Sequence, residues 1–144
     1  MRSRDGIVTN RAPPPVGAYP HGRRVGDLLF LSGIGPRSPE TGGIPGVTLD
    51  DAGEVAAYDM AAQCHAVFHN VRAVLATAGA DLQDLIDVTV YLTDIRRDFE
   101  TFNRIYSEYF SAADGPCRTT VEVNRLPTPI SIELKCIAQM PVTG

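Results

Sequence analysis

No CxxC pair, no HExxH, no glycine-rich phosphate loop and no long apolar run occur in this chain of 144 residues. Each absence closes a class of function. Three cysteines, Cys64, Cys117 and Cys136, cannot all pair and none sits in a nucleophile motif. Such usage fits a reducing compartment, with the thiols as small packing residues, Cys117 beside Arg118 included. No N-terminal stretch has the apolar core of a signal peptide, and no run approaches a membrane span. A cytoplasmic protein without a membrane partner is therefore expected. The glycines between Ile34 and Gly46 form neither GxGxxG nor a P-loop, so a phosphate cradle is excluded. His65 and His69 stand four apart, but no glutamate and no third ligand accompany them; a solvated helix face is expected there, and no metal. A net charge of −4 and the lack of a basic, aromatic platform argue against nucleic acid.

What is present reads as one domain over residues 1–144. Hydrophobic content is 44% and charged content 21%, enough for a packed core. Residues 1–15, with Pro13-Pro14-Pro15, are expected to be irregular. Gly26-Asp27 between two extended segments, 21–25 and 28–31, signals a tight hairpin. A Pro/Gly-rich loop over 34–53 is long for a compact domain, and such loops are often functional. From about residue 54 to 78 the period is helical, with Met60, Cys64, Val67, Phe68, Val71, Val74 and Leu75 on one stripe and Gly79 as the cap. Residues 85–93 read as a strand. The spacing predicts a second helix over 99–110, with Phe99, Phe102 and Tyr106 inward and Asp98 as N-cap. Two strands, 117–123 and 130–137, complete the order ββ-α-β-α-ββ. That order defines an α+β fold: a mixed sheet with both helices on one face. The bare face then needs cover, which implies self-association.

The last two strands carry the chemistry. Arg118 stands at the mouth of the first and Glu133 inside the second. A permanent cation can grip a carboxylate as a fork, and an acid can move protons; together they suit a small organic acid. Alternation puts Arg118, Thr120 and Glu122 on one strand face, and Glu133 opposite Ile132 and Leu134. A solvated sheet face with ordinary charges is the plain alternative. If the two strands formed a simple hairpin about Thr128, Arg118 and Glu133 would lie roughly 17 Å apart. Either the strands are not neighbours in that register, or the two residues meet across a subunit boundary. Asn103, beside Phe102 and Tyr106, is a buried amide that needs a partner.

In order along the chain, Val16-Gly17-Ala18-Tyr19, Leu31-Ser32-Gly33, Asn70, Asn103-Arg104-Ile105-Tyr106, Pro116-Cys117-Arg118, Leu126-Pro127 and Ile132-Glu133 resemble the RidA/YjgF reactive-imine deaminases. The likeness spans about residues 15–140. It implies a chorismate-mutase-like fold, a homotrimer with intersubunit sites, and no cofactor. It also implies that Arg118 binds the substrate carboxylate and Glu133 assists water, while Tyr19, Ser32, Gly33 and Asn103 line the pocket.

Three positions depart from the family pattern. Pro20-His21 follows Tyr19, Ile34 follows Ser32-Gly33, and Thr120 replaces the cysteine often found two residues past the arginine. With Arg37-Ser38-Pro39, these changes resemble the branch typified by 2-aminomuconate deaminase, an enzyme of aromatic degradation. The expected reaction takes 2-aminomuconate to 4-oxalocrotonate and ammonia. His21 is then a second proton-transfer candidate. Arg37 is the candidate for the distal carboxylate. A broad 2-iminoacid deaminase, or a ligand-binding module of the same fold, is the competing expectation.

Overall fold

Packing of two amphipathic helices against one face of a twisted sheet organises the chain. The computed structural model describes residues 5–142. Strand β1 (Asp5–Ile7) pairs antiparallel with β2 (Gly22–Val25), so part of the segment expected to be irregular extends the sheet edge. A turn through Gly26, at φ 62°, joins β2 to β3 (Leu28–Leu31), as its Gly-Asp pair predicts.

The long loop hides a second, two-stranded ribbon, β4 (Thr48–Leu49) with β5 (Val55–Ala57). Helix α1 therefore starts later than the apolar period suggests and spans Met60–Ala78. Asp59 fixes that start, because its carboxylate accepts from the Ala62 N–H at 3.1 Å. Gly79, at φ 88°, ends the helix in the left-handed conformation.

β6 (Leu85–Leu92) leads into α2 (Ile95–Tyr109), which returns to β7 (Cys117–Glu122), parallel to β6. Asp94 caps α2, not Asp98: its carboxylate accepts from the Arg97 N–H at 3.1 Å. Asp98 lies one turn inside, buried, where it accepts from the Tyr58 hydroxyl at 2.5 Å. The last strand is β8 (Ile132–Gln139).

The sheet order is β1-β2-β3-β8-β6-β7. β8 thus enters between β3 and β6, and β7 lies at the outer edge. Alternation decides which residues meet the helices. On β8 these are Ile132, Leu134, Cys136 and Ala138; on β6, Val88, Val90 and Leu92; on β3, Leu29 and Leu31. All are buried against the α1 stripe of Cys64, Val67, Phe68, Val71, Val74 and Leu75. Burying each large side chain contributes about 1.5–3 kcal/mol. Burial pushes the Cys64 and Cys136 thiols up to about 12, as befits packing residues. Phe102 joins this core, whereas Phe99, expected inward, stays 38% exposed.

The opposite sheet face carries Phe30, Tyr91, Thr89, Glu133, Lys135 and Ile137, half-buried and without a helix over them among the described residues. No helix among the described residues is long and apolar enough to cross a membrane.

Candidate active site

β6 separates the two charged residues. Arg118 pairs with Val88 and Glu133 with Tyr91, so the two positions are three residues apart along β6, on strands that flank it. That is about 10 Å along the strand and about 10 Å across it. An odd offset also puts them on opposite faces. Arg118 looks to the helices; Glu133 looks to the bare face. The hairpin pairing is therefore absent, and one chain does not bring the two side chains together.

The Arg118 side is an aromatic shelf. Glu122 anchors it by accepting from the Ile95 N–H at 2.9 Å, which seats the start of α2 on the edge of β7. Arg118 lies 4.7 Å from the Tyr106 ring centre and 5.2 Å from that of Phe102. Such stacking holds a guanidinium flat while leaving its edge free. Its Nη2 donates to Asn103 Oδ1 at 2.7 Å; that amide, expected buried, is half-buried. Arg118 forms no ion pair among the described residues. Beside it, the Thr120 and Tyr106 hydroxyls are buried and have no hydrogen-bond partner among those residues. Burial raises the Tyr106 hydroxyl above its ordinary range, with Arg118 acting the other way. Tyr106 was not singled out from the sequence, where it read as a core aromatic. The guanidinium donors not taken by Asn103, with two idle hydroxyls nearby, have the chemistry to receive a carboxylate.

The Glu133 side is a cleft open to solvent. Tyr19, His21, Ser32, Gly33, Arg37 and Glu133 all line it, so six of the expected residues converge. Glu133 makes no ion pair among the described residues, and burial pushes its carboxyl above the ordinary glutamate range. Gly33 backs directly against that carboxylate: a Cβ there would meet Oε2 at 2.9 Å. The Ser32 hydroxyl donates to Pro20 O at 2.7 Å, which leaves it acceptor capacity only.

His21 braces the wall. Its Nε2 donates to Pro13 O at 2.8 Å, and Nδ1 faces the Thr9 N–H at 3.4 Å. Both ring nitrogens are thus engaged by the chain, and neither is open to a substrate in the cleft. Arg37 reaches the same wall, with Nη2 donating to Pro14 O at 2.8 Å; its other donors remain for a ligand. Tyr19 accepts from the Val16 N–H at 3.3 Å. Two further parts stand outside the expected site residues. Pro13, Pro14 and Pro15 form one side of the cleft. Asn70, buried on α1, holds the floor: its Nδ2 donates to Gly35 O at 2.9 Å and Arg37 O at 2.7 Å.

The sheet thus bears a stacked guanidinium on one face and a desolvated acid on the other, a pattern suited to small organic acids. Comparison with known proteins names the class. The chain matches the model of the Endoribonuclease L-PSP family over residues 9–140 and belongs to that family, which includes the RidA/YjgF proteins. A RutC family protein of Saccharolobus solfataricus is 42% identical over 133 residues, covering 92% of this chain and 95% of the relative. The 2-iminobutanoate/2-iminopropanoate deaminase of Escherichia coli is 35% identical over 134 residues, covering 92% and 94%. The crystal structure of Escherichia coli TdcF with bound serine superposes with a TM-score of 0.80 at 34% identity, covering 95% of this chain and 99% of that one.

Proposed function

We propose that this protein is an enamine/imine deaminase and that its substrate is the diacid 2-aminomuconate. One observation carries the deaminase reading: Glu133 is a desolvated carboxylate that lines a cleft and has no cationic partner among the described residues. A carboxyl raised by burial is a stronger base than an ordinary carboxylate, which suits it to exchange protons with water. The names of the curated relatives support the same reaction class.

In this reading the working centre joins the Arg118 shelf of one chain to the Glu133 cleft of another, in a homotrimer. The bare sheet face supports such an assembly, because its half-buried apolar residues require cover. Arg118 holds the carboxylate next to the reacting carbon. The enamine takes a proton on carbon and becomes an imine. Glu133 orients water and accepts its proton as oxygen adds to the imine carbon. Nitrogen, protonated in turn, leaves as ammonia, and a 2-oxo acid remains. Electron flow comes from the substrate, so the protein supplies position and a proton path. His21 enters as a brace of the wall. Three free thiols support a place in the reducing cytoplasm.

The diacid reading rests on Arg37. It lines the Glu133 cleft with donors to spare, which suits it to take a second carboxylate. Arg37→Ala tests it, with ammonia release followed on 2-aminomuconate and on 2-iminopropanoate, each generated in situ. The short imine never reaches Arg37, so its rate should hold while the diacid's kcat/KM falls at least tenfold. Equal losses, or none, would leave a broad imine deaminase.

A further inference from the structure

We propose that Lys135 is a positioning residue that locks a β-bulge and thereby fixes the Glu133 carboxylate against Gly33. The inference rests on the reading of Glu133 as the working acid. The pairing of β3 with β8 runs from Leu28–Gln139 to Phe30–Ile137 and then breaks. It resumes at Ile34–Leu134, where both backbone hydrogen bonds form at 2.9 Å. Between these points Leu31, Ser32 and Gly33 face only Lys135 and Cys136. One extra residue on β3 must bulge out, and bulges of this kind re-aim neighbouring groups.

The bulge is what carries Gly33 to the Glu133 side chain. Its β2 side is tied by the Ser32 N–H donating to His21 O at 2.9 Å and by the Ser32 hydroxyl on Pro20 O. On the β8 side the tie is a side chain. Lys135 Nζ donates to Leu31 O across the broken ladder. Lys135 lies two residues from Glu133, on the same sheet face and half-buried. Its ammonium is turned toward the backbone, and it forms no ion pair among the described residues. Half-buried lysine in this place satisfies a carbonyl that the bulge has deprived of its ladder partner. An apolar side chain at 135 would leave Leu31 O idle and the bulge free to slip toward regular pairing, which withdraws Gly33 from Glu133.

The test uses Lys135→Met, Lys135→Arg, and Lys135→Met combined with Glu133→Gln, all in the assembled protein. Amide hydrogen exchange is followed together with steady-state deamination of 2-iminopropanoate. Lys135→Met should speed exchange at Ser32–Ile34 and leave β6 amides slow. It should lower kcat roughly 10- to 100-fold and leave KM within about twofold, because geometry and not carboxylate binding is lost. Lys135→Arg still donates to Leu31 and should restore both readouts. The double variant should be no slower than Glu133→Gln alone. Unchanged exchange at Ser32–Ile34, or losses that multiply in the double variant, would overturn the proposal. An unmodified protein without deaminase activity would instead remove the functional reading, and the exchange arm would still decide the role of Lys135.

Discussion

Adding one methyl group at Gly33 separates the acid's placement from its chemistry. In Gly33→Ala the new Cβ would stand 2.9 Å from Glu133 Oε2 and 3.0 Å from its Cδ. Non-bonded carbon and oxygen settle near 3.4 Å, so the carboxylate must retreat by about 0.5 Å. The atoms in the way belong to the end of a flexible side chain, and Gly33 is not among the residues with positive φ. Neither packing nor backbone opposes the alanine strongly, so melting temperature should change by no more than about 3 °C. Catalysis is more sensitive. A displacement of an ångström can cost 10²-fold, so half of that should cost about tenfold in kcat. The assay is ammonia release from 2-iminopropanoate generated in situ, with Glu133→Gln as the reference for complete loss of the acid. A fully active Gly33→Ala beside a crippled Glu133→Gln would refute the claim that reaction depends on where the carboxylate is held. A fall of ten degrees in melting temperature would refute the claim that the side chain yields first.

Two further outcomes follow from the charged pair. Arg118→Ala should weaken carboxylate binding by about 2–5 kcal/mol, read as KM, and Arg118→Lys should recover little because it cannot fork or stack flat. Glu133→Gln should also report on stability. Burial raises the Glu133 carboxyl above its ordinary 4.5, so the folded protein holds that proton more tightly than the unfolded chain does. Stability from this group is complete below pH 4.5 and is lost as pH rises through the raised value. Glu133→Gln should therefore melt above the parent at pH 7–8, with the difference gone at pH 4, in melting scans across that range. A difference that grows toward acid pH would reverse the assigned sign.

Local signals were legible and long-range ones were not. The α1 stripe, the Gly26-Asp27 hairpin and the Gly79 cap are each written within a few residues, and each forms as read. Strand β1 escaped because three residues at a charged edge show no alternation. The β4–β5 ribbon escaped because its pairing lies inside a loop rich in glycine and proline. Asp98 was mistaken for a cap because it precedes the aromatic stripe. Asp94 does that work one turn earlier, and Asp98 is claimed by Tyr58, a contact across 40 residues. The pairing of the last strands turned on topology. Strand 85–92, helix 95–109 and strand 117–122 form a β-α-β crossover, whose strands run parallel and side by side. Reading that unit first would have put β6 between Arg118 and Glu133. Of the site, Tyr19, Ser32, Gly33 and Arg37 were legible as a cluster only through resemblance. Asn70, the proline wall and Lys135 act through backbone carbonyls, for which sequence has no mark.

Arg118 and Glu133 look away from each other across a single sheet, and no loop motion can reverse that. Under the intersubunit reading, a newly made chain is silent however well it has folded. Activity then depends on protein concentration until copies meet, and dilution extinguishes it without unfolding anything. A deaminase built this way carries its own safeguard: lone or partly degraded chains have no centre with which to act on passing metabolites.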